Sequence, residues 1–330
     1  MQLRIVPYIS LPLQNESLKT MRLDDFDPNI NVEDQGRGGG SGGGGGGLLF
    51  GLLPLIGSRF GCGGIVVVLI VMALFGGLGN IGGMLGGGSA PSAPSGQIAQ
   101  GGAGRGGEQG SGTDAQSICT LNPERRAACN AFSSAQKTWA AIFAKNGEQF
   151  QAPKLSFFDD NGRSGCGAAQ AAMGPFYCPT DNGIFLDTSF FDELANRFGA
   201  RGDFAQDYVI AHEFGHHIQN LVGTSSQVSR AQQRANSSEG NALSVRLELQ
   251  ADCFAGVWAA ANRDRLEPGD IEEGMTAAQA IGDDTLQKQA QGRVVPDSFT
   301  HGTSAQRQTW LRRGLDSGDP KVCDTFSGAI

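Results

Sequence analysis

Basic side chains and histidines are both scarce in this chain. It carries 25 Lys and Arg against 33 Asp and Glu, a net charge of -8. No basic face able to track phosphates can be found, which excludes a nucleic-acid binder. No two cysteines stand close enough to form the paired-Cys arm of a Cys-rich zinc site. Charge is missing altogether between Phe60 and Gly104. The three Trp fall only after residue 117, so the segment before it has little with which to build a core.

Glycine is abundant instead. The chain has 51, mostly in its first third, so the folded part is shorter than the 330 residues present. A tract from Gly38 to Gly47, broken only by Ser41, has no side chains to bury. Residues 1–59 are therefore expected to form a disordered, Gly-rich tail. Met21, followed by Arg22, Leu23, Asp24 and Asp25, is an alternative start to Met1.

Ile65 to Phe75 is an unbroken apolar run flanked by glycines, and we expect a single transmembrane helix over 60–78. The same run also fits the apolar part of a cleaved signal peptide or an interfacial segment. Arg37 and Arg59 precede it, and no positive charge follows until Arg105. The positive-inside bias then puts the N-terminus in the cytoplasm and the globular domain outside. Residues 79–116, rich in Gly, Ser, Ala and Pro, read as a flexible linker, and 117–330 as one domain. Cys119, Cys129, Cys166, Cys178, Cys253 and Cys323 predict three disulfides in an exported domain, with free buried thiols as the alternative. The short gap from Cys166 to Cys178 flanks a hairpin.

Within that domain the periodicity predicts a helix over 123–145, with Phe132, Trp139 and Phe143 on one face. Short strands follow at 154–158, 175–178 and 184–187, the last two joined by a turn and forming a small antiparallel sheet. Helices are expected over 189–198, 204–221, 226–235, 241–262, 268–289 and 303–315. The class is α+β, mostly helical. Ile184 to Asp187 is expected to be an edge strand for an extended peptide.

Three of the four histidines, His212, His216 and His217, fall in one turn and a half of helix, inside His212-Glu213-Phe214-Gly215-His216. By chance a His-Glu-x-x-His would occur in about one chain in a hundred of this length, but three clustered histidines are a stronger signal. Residues four apart share a helical face, so His212 and His216 can reach one tetrahedral ion while Glu213 leans over the open position. The segment Glu248-Leu249-Gln250-Ala251-Asp252 supplies a third ligand, Glu248. Asp252 becomes the carboxylate behind a ligating histidine, accepting its free N–H. These residue types suit one Zn2+. They point to hydrolysis of a peptide or protein by metal-activated water with Glu213 as general base. Two rival readings are a tethered binding or chaperone module with structural zinc, which predicts a fourth protein ligand, and a hydrolase of another amide such as a cell-wall crosslink.

Tyr208 to Asn220, Glu248 to Trp258, Gly174 to Pro179, and Thr300-His301-Gly302-Thr303-Ser304-Ala305-Gln306-Arg307 resemble the bacterial neutral zinc metallopeptidases, a gluzincin-like family with one N-terminal membrane span. The resemblance implies a zincin-like fold and the ligand roles above, and no substrate. Related zinc peptidases place a histidine downstream of the ligands to stabilise the oxyanion, a role the resemblance suggests for His301, with a helix-start or core residue as the alternative. Arg307 is either a clamp for a substrate carboxylate or part of a structural ion pair. His217 points off the ligand face and is expected to be structural, and Tyr177 and Tyr208 are weaker site candidates.

Overall fold

The computed structural model describes residues 21–24, 26–37 and 114–330. Its sheet has four strands in the order β1-β2-β6-β5: β1 (Val32–Arg37), β2 (Lys154–Asp159), β6 (Gly183–Leu186) and β5 (Phe176–Cys178). β1 and β6 both run parallel to β2, and only β5 is antiparallel to its neighbour. A separate hairpin joins β3 (Asn161–Ser164) to β4 (Gly167–Gln170). The expected antiparallel sheet is thus corrected to a mixed one. In β2 and β6 the consecutive residues Leu155 to Phe158 and Gly183 to Leu186 are all buried. A strand covered on both faces shows no alternation from which its direction could be read. Since β6 lies between β2 and β5, it is not the edge strand expected for Ile184 to Asp187; among the described residues the edges of this sheet are β1 and, next to β6, β5.

β1 also corrects the reading of residues 1–59 as a tail. Met21, Leu23, Ile30 and Val32 are buried in the main core. Glu33 pairs with Ser156 in register, and Asp34 forms an ion pair with the buried Arg125. The strand is mostly polar: beyond Val32, Val-Glu-Asp-Gln-Gly-Arg gains its place from main-chain bonds, the Arg125 guanidinium on Asp34 and the Lys154 ammonium on Glu33. Hydrogen-bonded strands lie on the same side of any membrane. The expected arrangement, with this segment in the cytoplasm and the domain outside, would put β1 and β2, which are paired, on opposite sides. The helix expected over 60–78, like most of the linker, lies outside the described residues. Among the described residues no helix is long and apolar enough to cross a membrane.

Nine helices of five residues or more are present among the described residues. α1 (Ala115–Cys119) precedes α2 (Pro123–Lys145), which starts where Asn122 caps it and Pro123 takes a position needing no N–H. Phe132, Trp139 and Phe143 of α2 are buried. α3 (Ser189–Asn196) leads to α4 (Asp203–Leu221), α5 (Thr224–Gln232) and α6 (Ser237–Ala261), the last opened by an Asn236/Glu239 capping box. The helix expected over 268–289 is two, α7 (Asp270–Ala280) and α8 (Asp283–Gln291). The break at Gly282 has a steric cause: a side chain there would come within 2.4 Å of Ser304 N, at the start of α9 (Ser304–Ser317).

Three glycines let the central helices touch. A Cβ on Gly215 of α4 would meet Ala251 O of α6 at 2.9 Å, and one on Gly314 of α9 would meet Cys253 O at 1.9 Å. Gly256 of α6 faces Leu311 O of α9 in the same way. Backbone meets backbone, so the side chains on these helices are held in tight register. Disulfides join Cys119 to Cys129, Cys166 to Cys178, and Cys253 to Cys323.

Candidate metal centre

α4 and α6 cross with their functional faces opposed. His212 Nε2 lies 3.2 Å from one oxygen of Glu248, and His216 Nε2 lies 3.5 Å from the other. The ligand atoms of these three residues all fall within 4.8 Å of one another. His212 and His216 are a turn apart with ring centroids 4.8 Å apart and planes nearly perpendicular. Glu213, on the same turn, is 8 % exposed.

The atoms behind the imidazoles determine which nitrogen is free. Asp252 Oδ1 lies 2.8 Å from His212 Nδ1. That carboxylate also accepts two bonds from Arg307, at 2.9 Å each, and one from the Tyr208 hydroxyl at 2.6 Å. Burial opposes its charge, but Arg307 and His212 outweigh burial and hold Asp252 down to about 2. An ionised carboxylate only accepts, so His212 carries a proton on Nδ1, and its Nε2 is the ring atom turned toward Glu248. Gln219 does the same for His216. Its amide nitrogen donates to Leu247 O at 2.6 Å, leaving its oxygen to accept from His216 Nδ1 at 2.9 Å.

The electrostatics favour positive charge between the ligands. Burial works against ionised Glu248, yet His216 and His301 above all keep it well below the usual carboxylate range. Burial also opposes charge on His216, but Glu248 raises it to about 9. Two imidazole nitrogens and one carboxylate in this arrangement form a donor set that fits Zn2+.

His301 sits beside this set, close enough for its charge to act on Glu248. Its position comes from Asp283, whose Oδ2 accepts the backbone N–H groups of Thr300, His301 and Gly302 at 2.7, 2.6 and 3.1 Å. The other oxygen lies 3.3 Å from His301 Nδ1. Arg307, 2 % exposed and committed to Asp252 and Tyr208, is a structural ion pair rather than a substrate clamp. His217 is fully buried, with Nε2 2.7 Å from Gln151 O and Nδ1 3.1 Å from the Tyr177 hydroxyl. Burial lowers its pKa to about 4, so it is a neutral core residue, as its place off the ligand face predicts. Tyr177 joins β5 to α4 through that contact and through Asn220.

Sequence reasoning missed Gln219 and Asp283. Gln219 had a usable signal, since a residue three positions after His216 lies on its face. Asp283 had none, because it is 18 residues from the loop it holds.

The fold is α+β, and two crossed helices bring His212, His216 and Glu248 together as a group that could hold a metal ion. A family model described as "Putative neutral zinc metallopeptidase" matches residues 21–326, and the chain belongs to that family. YpfJ of Escherichia coli K12 is 53 % identical over 221 residues, 65 % of this chain and 77 % of that protein. Rv2575 of Mycobacterium tuberculosis H37Rv is 46 % identical over 190 residues, covering 54 % of this chain and 63 % of that protein. No solved structure matches.

Proposed function

We propose that this protein is a zinc-dependent peptidase of zincin type that hydrolyses peptide bonds, with His212, His216 and Glu248 as the metal ligands. The observation that carries this reading is the convergence of the Nε2 atoms of His212 and His216 on the Glu248 carboxylate, next to Glu213. Among the described residues the metal-binding group comprises only those three side chains. That leaves a coordination position open, whereas a structural zinc site is closed by a fourth protein ligand. When bound, Zn2+ supplies a Lewis acid for the scissile carbonyl and brings the pKa of water down to about 7. Glu213 takes the proton from the attacking water and delivers it to the leaving amine. His301, fixed by Asp283, donates to the oxyanion as it forms. The free edge of β5, tied to α4 by Tyr177, aligns an extended peptide by main-chain hydrogen bonds. Asp252 and Gln219 hold the imidazoles in the right tautomer and do not touch substrate.

The three disulfides support a working place outside the cytoplasm. The apolar run from Ile65 to Phe75 supports attachment to the bacterial inner membrane as an interfacial segment, which leaves β1 on the same side as the rest of the domain.

The test uses the full chain. Zinc is measured by elemental analysis, and cleavage of a peptide mixture is compared between the wild type and Glu213→Gln. The reading expects about one zinc per chain in both proteins, with cleavage only in the wild type. A wild type that binds no zinc would overturn it, and equal cleavage by both would remove Glu213 from the mechanism.

A further inference from the structure

A second group of acidic residues lies at the opposite end of α4 from Leu221. Asp203 opens that helix, Asp207 follows one turn later, and Asp270 and Glu273 stand in the first turn of α7. The carboxylate oxygens of Asp203, Asp270 and Glu273 all fall within 4.8 Å of one another. Gly202 makes the close approach possible: at φ 118° it has no Cβ, and one added there would lie 2.0 Å from the Glu273 carboxylate.

The negative charge here is poorly matched. Asp207 is 4 % exposed, and its neighbours Asp203, Asp270 and Glu273 all repel its charge. Arg265 acts on it from a distance and is shared with Asp24 at 3.0 Å. Burial first, then mutual repulsion, raises Asp207 well above the usual carboxylate range and brings Glu273 up to about 7. Grouped carboxylates that repel one another in a half-buried site call for a cation.

Met21 reaches this place. It is 4 % exposed, and its backbone N–H faces the Asp203 carboxylate, partly offsetting the cost of burying that group. Arg22 fixes the approach: its N–H donates to Arg265 O at 3.2 Å, its guanidinium donates to Asp264 O at 2.8 Å, and it pairs with Glu267 at 3.2 Å. A chain continuing upstream would leave from a buried residue whose nitrogen faces a carboxylate. The family match also runs from residue 21.

We propose that Asp203, Asp207, Asp270 and Glu273 form a binding site for the α-ammonium group of Met21, and that the working chain begins at that residue. As an amide, the Met21 nitrogen offers one donor and no charge. As an ammonium it offers three donors and the positive charge the cluster lacks. The contact pins the first turn of α4, the helix that carries His212 and His216. An α-amino group ordinarily titrates near 7.7–8.0, and the carboxylates raise that value in the folded state. The stabilisation is then fully present below the unfolded value and is lost as pH rises through the raised folded value.

The experiment starts with N-terminal sequencing of the full-length protein isolated from cells carrying the natural gene, which should read Met21 with a free amine. Two forms are then melted at pH 7: one starting at Met21, the other starting at Met1 with Met21→Leu so that no internal start remains. The Met21 form should melt higher by at least about 3 °C, and Asp203→Asn with Glu273→Gln should remove most of the difference. Cyanate should label the native α-amine about tenfold or more slowly than the urea-unfolded one, because the carboxylates hold it charged and buried. A native chain that begins only at Met1, equal melting of the two forms, or equal labelling of folded and unfolded amines would each overturn the proposal. So would a rise in the melting temperature of the Met21 form on adding calcium, which would make the cluster a metal site.

Discussion

Asp252 Oδ1 lies 2.8 Å from His212 Nδ1, and the same carboxylate is gripped by Arg307 from the other side. One acidic side chain thus fixes the tautomer of a metal ligand and the charge state of its own pocket. Asp252→Asn keeps the shape but puts a donor where only an acceptor serves. Zinc affinity should fall by about 10–100-fold, measured by competition with a chromophoric chelator. Unchanged affinity would mean that His212 is oriented by something else.

Gly215 is where α4 and α6 touch, with no room for a methyl group against Ala251 O. Gly215→Ala should separate the helices and move His212 and His216 away from Glu248. We expect a loss of about 1–3 kcal/mol in stability and weaker zinc binding, read by thermal melts with and without zinc. A stable variant with normal zinc affinity would show that the helix pair can relax at no cost.

His301 is argued to act on the oxyanion and is not counted among the ligands. His301→Ala should therefore retain zinc and keep KM close to wild type while kcat drops about 100-fold. If zinc is lost together with activity, the residue belongs to the ligand set instead.

β1 is tied to α2 by the ion pair of Asp34 with Arg125, whose guanidinium also lies 4.9 Å from the Phe157 ring centroid. Burial raises the Asp34 pKa, but hydrogen bonds from Arg125 and Gly36 outweigh it, and the net value is below 3.8. A depressed carboxylate contributes stability that is present above its unfolded pKa and lost as pH falls through the folded one. Asp34→Asn should cost about 1.5–3 kcal/mol at neutral pH, and the gap to wild type should close in melts carried down below pH 3.8. A pH-independent gap would assign the loss to hydrogen-bond geometry rather than charge.

The Cys253 to Cys323 bridge closes a loop of 70 residues and is buried at both ends. Replacing both by Ala should lower stability by about 4 kcal/mol on the chain-entropy account. Gln250, which donates to Cys323 O and to which Gln219 donates in turn, links that bridge to His216. Zinc affinity should weaken alongside stability, and chemical unfolding with zinc titration would separate the two effects.

Much of the candidate site's geometry was legible because its information is local. His212, Glu213 and His216 fall within one turn and a half, and Glu248 and Asp252 within one turn, so helical geometry alone assigns their faces. The helix over 123–145 was equally plain, since Asn122 and Pro123 mark its start and the aromatics share a face. What escaped notice depends on distant partners. β1 is too polar to be recognised until β2 and Arg125 are beside it. The break between α7 and α8 is set by Ser304, and Asp283 acquires its purpose only from the loop at His301.

By itself the sequence determined which side chains share a helical face: His212 with His216, and Glu248 with Asp252 one turn on. Those relations hold on any α-helix, whatever surrounds it. The tertiary structure alone decided which face of α6 meets α4, that β5 rather than β6 keeps a free edge, and that residues 21–37 belong to the domain. These depend on close backbone approach at Gly215, Gly256 and Gly314 and on pairing between strands far apart in the chain, and neither leaves a pattern within a single segment.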